Sequence, residues 1–239
     1  MSFSLTKLNF SGGFGSNNIL QFKPLIGNVQ TNNYFKAPTQ IGFKPGSLTF
    51  SLEGSSDPKS NYFTGVIHHP TMGSGITWGK GYDMKNRTAF EIKKDFLAIG
   101  LPSEVATNIS KAAGLSGESA RKFLGSNKEV LPTLTQEQQQ GLFDRIYPTY
   151  IDRAKYLATK DDVTKKYGAT DWDNLTPSIR EVVTDMTYQG VYTPAVRTKI
   201  QSAVAANDKE QLAGILENWE GTGYIANRMK DRAQFLRDN

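Results

Sequence analysis

Residues 176–189, TPSIREVVTDMTYQ, decide how the fold is read. Thr176 followed by Pro177 has the form of a helix N-cap with proline at the first helical position, where its missing N–H costs nothing. Ile179, Val182, Val183 and Met186 then recur at i, i+3, i+4 and i+7, so they share one apolar face of a helix. Gly190 stands where a C-terminal cap belongs. Helix signals continue on both sides of this stretch, and they dominate from Asn86 onward. Upstream, Thr135 and Gln138 have capping-box spacing, and Phe143, Ile146, Tyr150 and Ala154 trace a second apolar face over 135–158. Pro148, inside that run, is expected to kink or split the helix. Downstream, Asp208 and Gln211 repeat the capping-box spacing, and Gly114 and Gly125 stand where further helices would end.

The chain before Asn86 reads differently. From about Ser47 to Asp83 the pattern is of short strands and glycine-rich turns. VIHH (66–69) and ITWGKGY (76–82), separated by PTMGSG (70–75), suit a β-hairpin with a longer loop. The expected fold is therefore α+β and mainly α: a small β-containing lobe, then a larger helical lobe, with a cleft between them suited to an extended polymer. Residues 1–45 contain Gly12, Gly13, Gly15, Asn17, Asn18, Pro24 and Pro38 and sustain no helical period. They read as an extended N-terminal segment for delivery, anchoring or partner binding, or as a strap packed on the main domain through Phe3, Phe10, Phe14, Phe22 and Phe35. The main domain is expected over 46–239.

Composition narrows the function classes. Of the 239 residues, 38% are hydrophobic, enough for a sizeable core, and no run of about 18 apolar residues exists to span a membrane. The first residues lack the continuous apolar stretch of a secretory signal, so a target outside the cytoplasm requires another route. Cysteine is absent, which excludes disulfides, thiol catalysis and Cys-ligated zinc. The net charge of +5 weakly favours polyanions such as a bacterial wall, and no nucleic-acid-binding motif accompanies it.

Two stretches carry candidate chemistry. Glu53, in FSLEG (50–54), follows an apolar run and precedes a glycine, so it should lie where a packed element ends. A carboxyl held against apolar surface is favoured in its protonated form, which suits a general acid. In SGITWGKGYDM (74–84), glycines alternating with Ile76, Trp78 and Tyr82 suggest a strand with close backbone access, from which Thr77 and Asp83 project. The plainer reading is a glycine-rich hairpin with an ordinary Asp turn. Trp78 and Tyr82 either stack on sugar faces or pack the small lobe's core. His68-His69, with Asp83 as a third ligand, offers a metal site. Adjacent strand residues point to opposite faces, however, so no metal and no cofactor is expected.

Taken together, Glu53-Gly54, Ser74-Gly75-Ile76-Thr77, Gly79 and Gly81-Tyr82-Asp83 resemble the pesticin-type muramidases, themselves similar to the T-even phage lysozymes. The resemblance covers about 47–238 and gives no matching pattern for 1–45. It implies a phage-lysozyme-like fold with Glu53 as catalytic acid and Thr77 and Asp83 as the other two site residues. DMTYQG (185–190) looks like the phage-lysozyme helix end whose glutamine contacts substrate, here Gln189. NRMK (227–230) looks like the segment whose arginine pairs with the catalytic glutamate, here Arg228. The order Glu53, Thr77, Asp83 follows the pesticin type, whereas the T-even phage enzymes place the aspartate before the threonine. The roles of Thr77 and Asp83 are thus open to exchange.

What the resemblance implies is a glycoside hydrolase that cleaves the β-1,4 bond between N-acetylmuramic acid and N-acetylglucosamine in bacterial peptidoglycan. With the second carboxylate about 6.5–9.5 Å from the acid, a water fits between and the anomer is inverted. Asp83 is then the base for that water, Thr77 its positioner and Arg228 the tether of Glu53. Such a protein, made in the bacterial cytoplasm, acts on the wall as a monomer after holin-dependent release, as part of a phage virion, or as a toxin with an immunity protein. The alternatives are a wall-binding or virion protein on a lapsed lysozyme scaffold, and a lytic transglycosylase.

Overall fold

The computed structural model describes residues 42–239, so the N-terminal segment lies outside the described residues except for 42–45. The described chain is mainly helical, with one small antiparallel hairpin, an α+β arrangement dominated by α. At its centre, helix α7 runs Pro177–Tyr188. Its Ile179, Val182, Val183 and Met186 are fully buried, as their spacing predicts. Pro177 starts the helix, although the Thr176 side chain makes no capping bond. Burial extends to the other side as well: Ser178, Glu181, Thr184, Asp185 and Thr187 are also enclosed. A helix buried all round must find partners for its polar face, and those partners organise the rest of the molecule.

Two hydrophobic cores flank α5 (Gln136–Thr159). One is built around α7 by α8 (Pro194–Ala205), α9 (Lys209–Glu217) and α10 (Tyr224–Asp238), with Leu48 of the short helix α1 (Ser47–Leu52). Helix α6 (Asp161–Tyr167) follows α5 and buries Val163. The other core gathers Ile67, Ile76, Trp78, Tyr82 and Met84 with Ile92 and Phe96 of α2 (Ala89–Ala98), Ala106 and Ile109 of α3 (Ser103–Ser110) and Ala120 of α4 (Gly117–Asn127). The part of the chain expected to form a β-containing lobe is thus held together mostly by helices. At 24 residues, α5 is about 36 Å long and serves both cores, giving Leu142 and Ile146 to one and Ala154 and Ala158 to the other. Pro148 does not split it. One hydrogen bond is forfeited there, and burial on both sides of the proline carries the helix through.

Local signals succeed at several helix ends. Thr135 and Gln138 form a full capping box, and the Asp208 carboxylate accepts the Gln211 N–H at 2.9 Å. Gly125, expected to end a helix, lies inside α4 instead, on a side open to solvent. The segment Ser47–Leu52, expected in a strand-and-turn region, is helical, because its cap comes from elsewhere in the chain. The Gly46 and Leu48 N–H groups donate to Glu181 of α7 at 3.0 and 3.3 Å.

The stretch 76–82 is not one strand. It folds back as β1 (Thr77–Trp78) and β2 (Tyr82–Asp83), with Thr77 opposite Asp83 and Trp78 opposite Tyr82. The reversal is at Gly79-Lys80-Gly81, where the glycines take φ of +62° and +84°. A Cβ at Gly81 would also collide with the Tyr188 hydroxyl. The expected pairing of 66–69 with this region survives as a single bridge between His68 and Thr77. Beside the domain's start, Phe43 packs edge-on against Phe235 and Lys44 pairs with Asp144 at 2.9 Å. No helix among the described residues is long and apolar enough to cross a membrane.

Glu181 makes the fold sensitive to pH. Its carboxyl is pushed up to about 7, chiefly by burial and also by the charge of Asp185, against hydrogen bonds from Gly46, Tyr147 and Leu48 that favour the anion. A raised folded-state pKa gives stability that is fully present below the unfolded value and is lost as pH rises through about 7. Between pH 4.5 and 8 the protein should therefore lose up to about 3 kcal/mol relative to Glu181→Gln. Urea titrations of both proteins across that range check this. A stability difference that does not change with pH would exclude it.

Candidate active site

The site is anchored by a buried carboxylate. Asp185 of α7 is fully enclosed and holds two arginines of α10, Arg228 at 2.6 Å and Arg232 at 2.7 Å. Both arginines are buried and fully engaged: Arg232 donates Nε to Asp185 Oδ2 and Nη2 to Gln189 Oε1, each at 2.7 Å, and Arg228 is 2% exposed. Having one Nη on Asp185, Arg228 turns the other to Glu53 Oε1 at 2.7 Å and to the Tyr224 hydroxyl at 2.8 Å. Glu53 is the C-cap of α1, where an apolar element ends. Its side chain is 26% exposed, and among the described residues no donor reaches Oε2. One oxygen is fixed and the other remains available to exchange a proton, which suits a general acid.

The second half of the site is the hairpin. Residues directly opposite one another in an antiparallel pair put their side chains on the same face, so Thr77 and Asp83 stand side by side. Asp83 Oδ1 accepts the Lys85 N–H at 2.7 Å and Oδ2 accepts the Gly75 N–H at 3.2 Å. A Cβ on Gly75 would run into this carboxylate, so the glycine is what lets the backbone approach. Thr77 is nearly buried, and its hydroxyl reaches the Gly75 carbonyl only at 3.5 Å, leaving it free to bond elsewhere.

Aromatic residues join the two halves. The Tyr188 hydroxyl donates to the Lys80 carbonyl in the hairpin turn at 2.7 Å. The rings of Tyr188 and Tyr150 lie 4.3 Å apart. Burial pushes the Tyr150 phenol above its usual range; Arg87 acts against this, and the charges of Asp83 and Glu53 add to it. Tyr150 therefore stands in the field of both carboxylates, one from each half.

Of the two roles that the sequence left to Trp78 and Tyr82, sugar stacking or core packing, the structure shows the second: both are 0% exposed. Alternate strand residues face opposite ways, so the register that presents Thr77 and Asp83 turns Trp78 and Tyr82 inward against Phe96. Their polar atoms are also taken, Trp78 Nε1 by the Gly65 carbonyl and the Tyr82 hydroxyl by Asp95. Gln189 caps the end of α7 and is half-buried, its Oε1 engaged by Arg232. His68 and His69 each direct a ring nitrogen to a backbone carbonyl, of Val66 and Ser74 respectively.

Four residues escaped the sequence reading. Asp185 and Glu181 sit four apart on α7, off its apolar face, and that spacing was the available signal. Tyr224 is 64% exposed, yet its hydroxyl rests on the guanidinium that holds Glu53, so an aromatic face lies open beside that carboxyl group. Lys80, between two glycines, is buried.

The profile of a family described as a domain of unknown function, DUF8812, matches residues 46–233, and the chain belongs to that family. A comparison with curated proteins finds no match.

Asp185→Asn should destabilise the fold by about 3–5 kcal/mol, because it leaves two buried guanidiniums without their counter-charge. Chemical denaturation at neutral pH measures this, and a loss below about 1 kcal/mol would show that the arginines find other partners.

Proposed function

We propose that the protein is a muramidase, a peptidoglycan hydrolase with the two-lobed arrangement of the phage-type lysozymes. The observation that carries this reading is the pairing of two differently held carboxyl groups. Glu53 is fixed through one oxygen by a buried arginine, and Asp83 is fixed by backbone N–H groups with a threonine hydroxyl beside it. Glycoside hydrolysis asks for such a pair: one group to protonate the leaving oxygen, another to draw a proton from water on the opposite face of the sugar. In this reading Glu53 is the acid, Asp83 the base and Thr77 the residue that holds the water in line. Arg228 places the acid. The open ring of Tyr224 gives the sugar chain a surface to lie on, the role that buried Trp78 and Tyr82 cannot take.

The substrate is the β-1,4 bond between N-acetylmuramic acid and N-acetylglucosamine, and the site of action is the bacterial wall. A protein made in the cytoplasm reaches that wall through a holin, on a virion or as an injected toxin, and the last case calls for an immunity protein.

Glu53→Gln should leave the fold intact and lower the rate on purified peptidoglycan by at least about 10²–10⁴-fold, since the isosteric amide has no proton to transfer. Near-normal turnover in that variant would sink the assignment. Asp83→Asn should lose more activity than Thr77→Ala, because a base is harder to replace than a positioner. In proton NMR of the first products, an α anomer from the β-linked substrate is expected. A β product would mean retention, with a nucleophile in place of a base.

A further inference from the structure

The turn residue Lys80 belongs to the hairpin, yet its ammonium is spent on another element. Nζ donates to the carbonyl of Phe50 at 2.6 Å and to that of Gly54 at 3.3 Å. It also lies over the Phe50 ring, 4.3 Å from the centroid. These carbonyls belong to the last turn of α1 and to the residue just after Glu53, so one cation brackets the acid from both sides along the chain. A helix leaves its final carbonyls unpaired and carries partial negative charge at that end, so a cation there is favoured on both counts. The turn that supplies the cation is itself fixed. Its glycines take left-handed conformations, and its central carbonyl accepts the Tyr188 hydroxyl.

We infer that Lys80 is a positioning residue: it locks the hairpin bearing Thr77 and Asp83 to the helix end bearing Glu53, and so sets the separation of the two carboxyl groups. This rests on the muramidase reading for its catalytic consequence, and on contacts alone for the linkage. Nothing else in the turn could do the same work. Gly79 and Gly81 have no side chains, and the Tyr188 bond ties the turn to α7 and not to α1. A neutral side chain at position 80 would leave the two carbonyls without their donor in a buried place, which costs more than the bonds contribute when made. The end of α1 would shift to recover water, and Glu53 would move with it. Burial pushes the Lys80 ammonium below the usual lysine range, and the negative charge of Glu53 acts in the opposite direction. The two groups therefore report on each other.

The direct test is NMR titration of the Lys80 side-chain nitrogen in the full-length protein. It should lose its proton at lower pH than the exposed lysines, and Glu53→Gln should lower that pH further, because the opposing charge is gone. A titration unmoved by Glu53→Gln overturns the linkage. The second arm is kinetic. In Lys80→Met, kcat on purified peptidoglycan should fall about 10–100-fold while KM stays within about twofold, the pattern of a displaced catalytic group on an intact binding surface. Wild-type kcat in a folded Lys80→Met protein overturns the positioning role, and so does a loss confined to KM. If Lys80→Met does not fold, the titration of the unsubstituted Lys80 decides. If the unmodified protein cleaves no peptidoglycan, the muramidase reading fails, and the titration still tells whether Lys80 and Glu53 are joined.

Discussion

The fully buried Asp185 carboxylate is the constraint on which the arrangement depends. A lone charge in that position would be prohibitively costly, and two arginines from α10 answer it at 2.6 and 2.7 Å. Two cations on one carboxylate leave an excess of positive charge in the interior, and that excess is why Arg228 also reaches outward to Glu53. Glu53 is thus the outer end of a charge chain that begins on the central helix. Buried pairs of this kind add little net stability compared with apolar packing. What they supply here is position, because a planar guanidinium fixes the direction of each contact it makes.

The same helix controls both ends of α1. Six residues are too few to form a helix unaided, and no local cap begins this one. Glu181 takes its first N–H groups, and four residues further along α7 Asp185 governs its other end through Arg228. An i, i+4 pair of carboxylates on one helix face therefore straddles a second helix. From the hairpin side, Lys80 holds the last carbonyls of α1. The place of Glu53 is set by three side chains distant in sequence and hardly at all by its neighbours.

That division explains what could be read from the sequence. The apolar face of α7, the capping box at Thr135 and the cap at Asp208 were legible because each is written within a few residues of where it acts. Glu53, Thr77, Asp83 and Arg228 could be proposed together because their immediate motifs are distinctive, and the structure sets Arg228 on Glu53 and Thr77 opposite Asp83. Helix α1 was not legible, since its cap lies on α7. The inward turn of Trp78 and Tyr82 could be read only as one of two roles, because two positive-φ glycines reverse the chain inside what looked like a single strand, and the reversal decides which residues share a face. Pro148 misled in the other direction: the local rule favours a break, and packing on two cores outweighs it.

Placing Glu53 by long-range contacts has a consequence for the molecule as a whole. A residue fixed by its own helix keeps its position when distant elements loosen, whereas one held by α7, α10 and the hairpin together does not. The Glu181 contact adds a pH-sensitive element to this frame, because its carboxyl, pushed up to about 7, changes charge near neutrality while it holds the start of α1. Above that range the anion is the better acceptor for the Gly46 and Leu48 N–H groups but the worse occupant of a buried site. Below it, the protonated form suits burial and loses acceptor strength. Neither state satisfies both demands, so the helix that ends on Glu53 sits between two opposed preferences, while the ion pairs from Asp185 through Arg228 hold its other end.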